Sequence, residues 1–195
     1  MPTLLIITNN PERASFRQRI GEYLDTLNAG GIECEVAVLP RRLLSRRKLY
    51  KRAADFDGVF VHKKKLNPFD AFWLRKNTRK IIYSYDDAIM YSDKNLHRYS
   101  RAHYIPFRRT AKLADMIIVA SSYLAEQSRP FNRNVHILPI GLKVSDYNPE
   151  SGPQEDGRLR LVWIGSDSTL PYLDMIRPVL EQTGSDNPQV VLRVI

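Results

Sequence analysis

Short apolar runs alternate along this chain with segments whose apolar residues recur every three or four positions. Runs bounded by polar or turn residues predict buried strands at Leu4–Thr8, Cys34–Leu39, Gly58–Val61, Lys80–Ser84, Met116–Ala120 and Val135–Leu138. Between them, Phe16, Ile20, Leu24 and Leu27 repeat at helical spacing, and Gly30-Gly31 stops that helix. Helices are also predicted in part of residues 41–54, at Asp70–Lys76, in pieces on either side of Pro106 across residues 95–113, and at Ser122–Ser128. Regular β/α alternation predicts a parallel sheet with helices on both faces, a Rossmann-like α/β fold.

The texture changes after residue 142. Asn148-Pro149-Glu150-Ser151-Gly152-Pro153 and the polar residues up to Gly157 read as a linker. The pattern then restarts with a strand at Leu159–Ile164, a helix at Leu170–Glu181 and a strand at Gln189–Ile195. The predicted organisation is a first domain over residues 1–142, a hinge over 143–157 and a second, incomplete Rossmann-like βαβ unit over 158–195. A unit of that size is too small to cover its own apolar face. Self-association through it is therefore expected, helped by the exposed strand at its end.

Composition narrows the partners. Thirty basic residues against 21 acidic ones give a formal charge of +9, which favours acidic partners: sugar nucleotides, phosphorylated lipids, an anionic membrane surface or nucleic acid. The single cysteine, Cys34, excludes an internal disulfide and reads as a small apolar residue of the second strand. Met1-Pro2-Thr3 enters the first strand with no basic leader, and no apolar run reaches the roughly 20 residues of a membrane span, so a cytoplasmic location is expected. The segment 41–52 interleaves Arg41, Arg42, Arg46, Arg47, Lys48, Lys51 and Arg52 with Leu43, Leu44, Leu49 and Tyr50. It suits peripheral contact with an anionic membrane at its inner face, and equally an ordinary surface helix with its leucines packed inward.

Candidate chemistry clusters where strands are predicted to end, which is where open parallel sheets bind ligands. Asp86 and Asp87 follow the fourth strand at once. Adjacent carboxylates there suit a general base or the recognition of a hydroxyl, and also suit a simple turn or helix cap. His62-Lys63-Lys64-Lys65 follows the third strand as a phosphate-binding candidate or a solvated charge run. After the first strand, Ser15 and Gln18 fit a capping box, and Arg13, Arg17 and Arg19 crowd what reads as a first helical turn. Gly165, Ser166, Ser168 and Thr169 form a strand-to-helix loop able to offer donors to a phosphate. The four histidines show no metal-ligand spacing, and the sequence has no P-loop and no G-x-G-x-x-G.

Taken in order, several segments resemble the retaining glycosyltransferases of family 4, whose GT-B fold sets two Rossmann-like domains face to face. These are Ser15-Phe16-Arg17-Gln18-Arg19, Tyr85-Asp86-Asp87-Ala88-Ile89, Ala114-Asp115-Met116-Ile117-Ile118-Val119-Ala120-Ser121-Ser122-Tyr123-Leu124, Leu138-Pro139-Ile140-Gly141-Leu142, and Trp163-Ile164-Gly165-Ser166 with Thr169 and Tyr172-Leu173. The resemblance implies transfer of a sugar from a nucleotide-sugar donor to an acceptor hydroxyl, in the synthesis of a glycan, glycolipid or surface polysaccharide, without a metal or other cofactor. It implies catalytic roles for Asp86 and Asp87, acceptor contacts from Ser15, Arg17, Arg19 and His62, and donor contacts from Gly165, Ser166, Ser168 and Thr169. Three departures accompany it. Lys143 stands where the family usually has Asp, the aspartate pair stands where many members carry a histidine, and the donor-domain E-x7-E segment would lie beyond Ile195. The chain as given is therefore expected to be inactive alone. The alternatives are a non-catalytic or partner-dependent acceptor-binding protein of the same lineage and a basic nucleic-acid-binding α/β module. No helix-turn-helix or RNA-stacking signature supports the latter, so no nucleic-acid partner is expected.

Overall fold

The computed structural model describes residues 1–92, 95–141, 144, 157–165 and 169–195, with backbone only over 95–99. They fall into two compact units, Met1–Leu142 and Lys143–Ile195.

The first unit is a six-stranded, all-parallel sheet flanked by helices. Its strands are β1 (Thr3–Thr8), β2 (Glu33–Val38), β3 (Gly58–His62), β4 (Ile81–Tyr85), β7 (Met116–Val119) and β8 (Val135–Ile137), in the spatial order β2-β1-β3-β4-β7-β8. β-Branched and aliphatic residues dominate these strands because both faces are covered. In β1 the alternation is direct. Leu5 and Ile7 point into the large core with Val59, Val61, Tyr83, Tyr85, Phe107 and Ile117, while Ile6 points the other way to Phe16 and Ile20. Helices α3 (Leu43–Arg52), α4 (Pro68–Asn77), α5 (Arg101–Leu113) and α6 (Ser122–Ser128) supply residues to the large core; α1 (Ala14–Arg19) and α2 (Leu24–Ala29) cover the smaller one. Cys34 packs, half-buried, against the smaller core.

Local signals explain most helix ends. Asn67 caps α4 by accepting from the Asp70 backbone N–H at 2.8 Å, with Pro68 at the first helical position, and Ser121 caps α6 through the Leu124 N–H. Four expectations change. The helix expected through Phe16 and Leu27 is broken at Gly21, where a short 3₁₀ turn (Gly21–Tyr23) separates α1 from α2; glycine is a poor interior helix residue. The capping box does not form: Arg13 occupies the cap, and Ser15 lies inside the helix. Because α1 has six residues, Arg17 and Arg19 fall in its last turn, where cations favour the helix dipole. Residues Tyr91–Ser92 (β5) and Asn95–Tyr99 (β6) pair as an antiparallel hairpin instead of a helix, and α5 begins only at Arg101 and runs through Pro106, held by buried Phe107, Thr110 and Ala111.

The second unit contains β9 (Leu159–Trp163) and β10 (Val190–Val194), paired in parallel, with α7 (Leu170–Met175) and α8 (Arg177–Asp186) between them. One helix was expected here. It breaks at Ile176, and Pro178, which has no N–H to donate, falls in the first turn of the helix that follows. None of the described side chains of this unit is buried. No helix among the described residues is long and apolar enough to cross a membrane.

Candidate functional site

The connection from β1 passes to β2 on one side, and the chain then resumes on the other side at β3. That reversal is a topological switch point, and in doubly wound sheets the crevice that takes ligands forms there, here at the carboxyl ends of β1 and β3. The last residues of both strands are polar and buried there. Thr8 Oγ1 lies 3.3 Å from His62 Nδ1, and the His62 ring packs edge-on to Phe16 of α1, with centroids 5.6 Å apart. His62 pairs in register with Ser84 of β4, whose hydroxyl accepts from Arg19 Nε at 2.9 Å. Arg19 also donates through Nη1 to the carbonyl of Leu138, 3.1 Å away, just past β8. One guanidinium thus braces the ends of two strands.

Directly after His62, Lys63 adopts a left-handed backbone (φ 51°), and its N–H donates to the carbonyl of Ser84 at 2.8 Å. Such a conformation costs a non-glycine residue of order 1 kcal/mol and concentrates at functional sites. It brings the Lys63 ammonium onto both aspartates: Nζ lies 2.8 Å from Asp86 Oδ1 and also contacts Asp87 Oδ2. The cation between them offsets the repulsion of two adjacent carboxylates. The aspartates differ in access. The Asp86 side chain is 9% exposed and that of Asp87 is 70% exposed.

The crevice is electrostatically coupled. Burial lowers the pKa of His62 to about 4; Asp86 opposes this, while Lys63 and Arg19 add to it, so the imidazole is neutral near pH 7. Burial also lowers the Arg19 pKa against the pull of Asp86. For Lys63, burial acts downward but the bonds to Asp86 and Asp87 outweigh it, and its pKa is raised. Among the described residues, Arg19 Nη2 and His62 Nε2 are buried without a hydrogen-bond partner, while Asp86 Oδ1 is met by the Lys63 ammonium. Two such atoms in one coupled cluster are unusual for a packed interior.

Solved structures that share this architecture include two with a bound nucleotide. One is an α-glucosyltransferase in complex with UDP and a 13-mer DNA containing an HMU base, with TM-score 0.52 at 13% identity; the match covers 94% of this chain and 55% of that one. The other is Anabaena HepE in complex with UDP, with TM-score 0.52 at 13% identity, covering 100% of this chain and 69% of that one. At this identity the likeness is one of fold, the Rossmann-like α/β architecture with a parallel sheet flanked by helices. The chain spans little more than half the length of the first of these proteins. No family model and no curated protein sequence matches it.

Of the residues singled out from sequence, His62, Asp86, Asp87 and Arg19 gather at this crevice. Arg19 does so as a buried brace. Arg17 is exposed on α1, and Ser15 is half-buried in the same helix. In the second unit, the Gly165 N–H donates to the carbonyl of Ile195 at 3.1 Å. A Cβ at Gly165 would stand 2.2 Å from the Trp163 ring and 2.7 Å from Thr169 Oγ1, so any larger residue there requires those side chains to move. Thr169 occupies the cap position of α7 without a side-chain capping bond. Ser166 and Ser168 lie outside the described residues. Among the described residues, no group of three His, Cys, Asp or Glu is placed to hold a metal. Sequence reasoning missed Thr8 and Ser84 and took Lys63 only as part of a basic run. The available signal was a hydroxyl residue at the end of an otherwise apolar strand.

Proposed function

We propose that this chain belongs to a glycosyltransferase that moves a sugar from a nucleotide-sugar donor to an acceptor hydroxyl, with the acceptor held at the strand-end crevice of the first unit. The observation that carries this reading is the buried, coupled cluster of Thr8, Arg19, His62, Lys63, Ser84 and Asp86 at the topological switch point. The fold likeness supports it. In the proposed reaction the acceptor oxygen forms a bond to the anomeric carbon, the bond from that carbon to the diphosphate breaks, and the hydroxyl proton passes to a carboxylate. Asp87 is the accessible carboxylate and serves as hydroxyl acceptor or base. Asp86 stands behind it, held by Lys63, and its charge acts on Arg19 and His62. Neutral His62 contributes a hydrogen-bonding edge, not a charge. The loop at Gly165 and Thr169 is assigned to the donor's diphosphate, with weak affinity in this chain by itself.

Magnetic-resonance titration separates the two halves of the proposal. Simple glycosides are expected to shift the resonances of Thr8, His62 and Ser84, and UDP those of Gly165 and Thr169. The reading fails if glycosides leave the strand-end residues unmoved, or if UDP binds in the low micromolar range (about −8 kcal/mol) at the first unit. In a preparation that transfers sugar, Asp87→Asn is expected to reduce turnover by about 10²- to 10⁴-fold. Near-normal turnover would leave Asp87 as a turn residue.

A further inference from the structure

Away from the crevice, α3 and α4 pack side by side and present an outer face that the strand-end cluster does not use. Arg46 locks the pair together from within. It donates to the carbonyl of Pro40 at 2.7 Å and to Asp70 Oδ2 at 3.0 Å, and Asp70 is fully buried. Leu49 and Tyr50 are the buried residues of α3. At about 100° per residue, Leu44, Lys48 and Lys51 project opposite to them. Leu44 is 73% exposed and Leu43 47%. On α4, Phe72 is 61% exposed and meets Trp73 edge-on at 5.7 Å. The Arg47 guanidinium lies 4.4 Å above the Trp73 ring, joining the two helices into one surface, and the Lys76 ammonium lies 5.6 Å from the same ring.

Charge on this face has one sign. Residues 41–54 and 71–84 contain no aspartate or glutamate, and the Asp70 carboxylate is consumed by Arg46. Arg52 turns aside to pair with Glu35. The side chains of Arg41, Arg42, Lys48 and Lys51 make no hydrogen bond or ion pair with another described residue. The result is a set of cations on and just before α3 together with exposed Leu44 on α3 and exposed Phe72 on α4, with a tryptophan under the Arg47 guanidinium. An anionic lipid surface satisfies every part of that arrangement. Headgroups take the cations, the apolar tips enter the acyl boundary, and tryptophan favours the interface between them. A nucleic acid satisfies less of it. Phosphates would take the cations, but Leu43 and Leu44 would gain nothing, and the Trp73 face needed for base stacking is already covered by Arg47.

We infer that the outer face of α3 and α4 docks this protein on an anionic lipid membrane. Phe72 and Trp73 of α4 are as much part of the surface as the basic helix, while Arg46 and Arg52 are not. Co-sedimentation of the intact chain with vesicles tests this, using phosphatidylcholine alone and phosphatidylcholine mixed with phosphatidylglycerol. Binding is expected to the mixed vesicles only and to fall as salt rises. Lys48→Gln and Lys51→Gln should each weaken it about fivefold. Leu44→Ser with Phe72→Ser should weaken it several-fold at unchanged charge. Both sites are exposed, and circular dichroism confirms the fold of each variant. Equal binding to neutral and mixed vesicles overturns the inference. So does an unchanged affinity of the Leu44→Ser, Phe72→Ser variant. Mixed-vesicle binding that is lost to single-stranded DNA competitor, with that double variant binding DNA normally, would assign the face to nucleic acid instead.

Discussion

Met1–Leu142 and Lys143–Ile195 are written in the same β/α grammar, yet only the first hides its apolar residues. In the first unit Leu5, Val59, Ile81, Tyr83 and Ile117 are inaccessible to solvent, because neighbouring strands flank them and helices lie over them. In the second, Val162, Ile164, Val179 and Ile195 stay more than half exposed, although their strands pair in good parallel register. Two strands and two short helices cannot surround any one side chain. They leave an open cavity of about 380 Å³ between Leu161, Leu173, Leu180 and Leu192. Hydrogen-bonded secondary structure is thus separable from a core. The ladder of β9 and β10 satisfies the backbone, but enclosure needs more layers than that unit has.

The largest effect expected from this contrast lies in paired truncations. Phe107→Ala removes a buried ring that touches Tyr85, Tyr104 and Phe131, and should cost about 3–5 kcal/mol. Val179→Ala on α8 should change stability by less than about 0.5 kcal/mol. Trp73 and Trp163 lie one in each unit, so urea titrations of single-tryptophan variants follow the units separately. A large cost for Val179→Ala would show that the second unit has a core after all.

The next effect is one of pH. His62 has its pKa lowered from 6.5 to about 4 in the folded chain, so the unfolded chain binds the extra proton first as pH falls. Stability contributed by keeping His62 neutral is complete above about pH 6.5 and is lost progressively down to about pH 4, up to roughly 3 kcal/mol. Urea midpoints measured across that window should fall for the parent chain and stay flatter for His62→Gln. Equal slopes would mean that the ring is solvated. A smaller loss is expected from Arg19→Met, which leaves the Ser84 hydroxyl and the Leu138 carbonyl without their donor, at about 2 kcal/mol. The smallest belongs to the second unit. Gly165→Ala drives a methyl into the Trp163 ring, but that ring sits in an open unit and can swing away, so a cost under about 1 kcal/mol is expected. A cost matching that of Phe107→Ala would erase the contrast between the units.

Strands were the easiest part to read. A run such as Leu4-Leu5-Ile6-Ile7 is apolar at every position, and only a doubly covered parallel strand tolerates that. Helix continuity was harder. Helices broke at Gly21 and Ile176 although their apolar spacing ran straight across, and Pro106 did not break one, because buried Phe107 and Ala111 hold α5 together. The hairpin at 91–99 was missed because its pairing is between two short segments with little apolar alternation.

The sequence by itself determined the α/β alternation, the change of texture after residue 142, the single sign of charge around residues 41–52 and the presence of two aspartates just past a strand. Each depends on neighbours within a few positions. What the tertiary structure alone decided is which of those residues meet. Strand order puts Thr8 beside His62, register puts Ser84 beside His62, and a left-handed turn at Lys63 swings an ammonium onto Asp86 and Asp87. Arg19, read as a ligand contact, is buried between strand ends that lie 65 and 119 residues away along the chain. Local sequence cannot encode such meetings, because burial and charge coupling depend on distances in space that only the packed sheet sets.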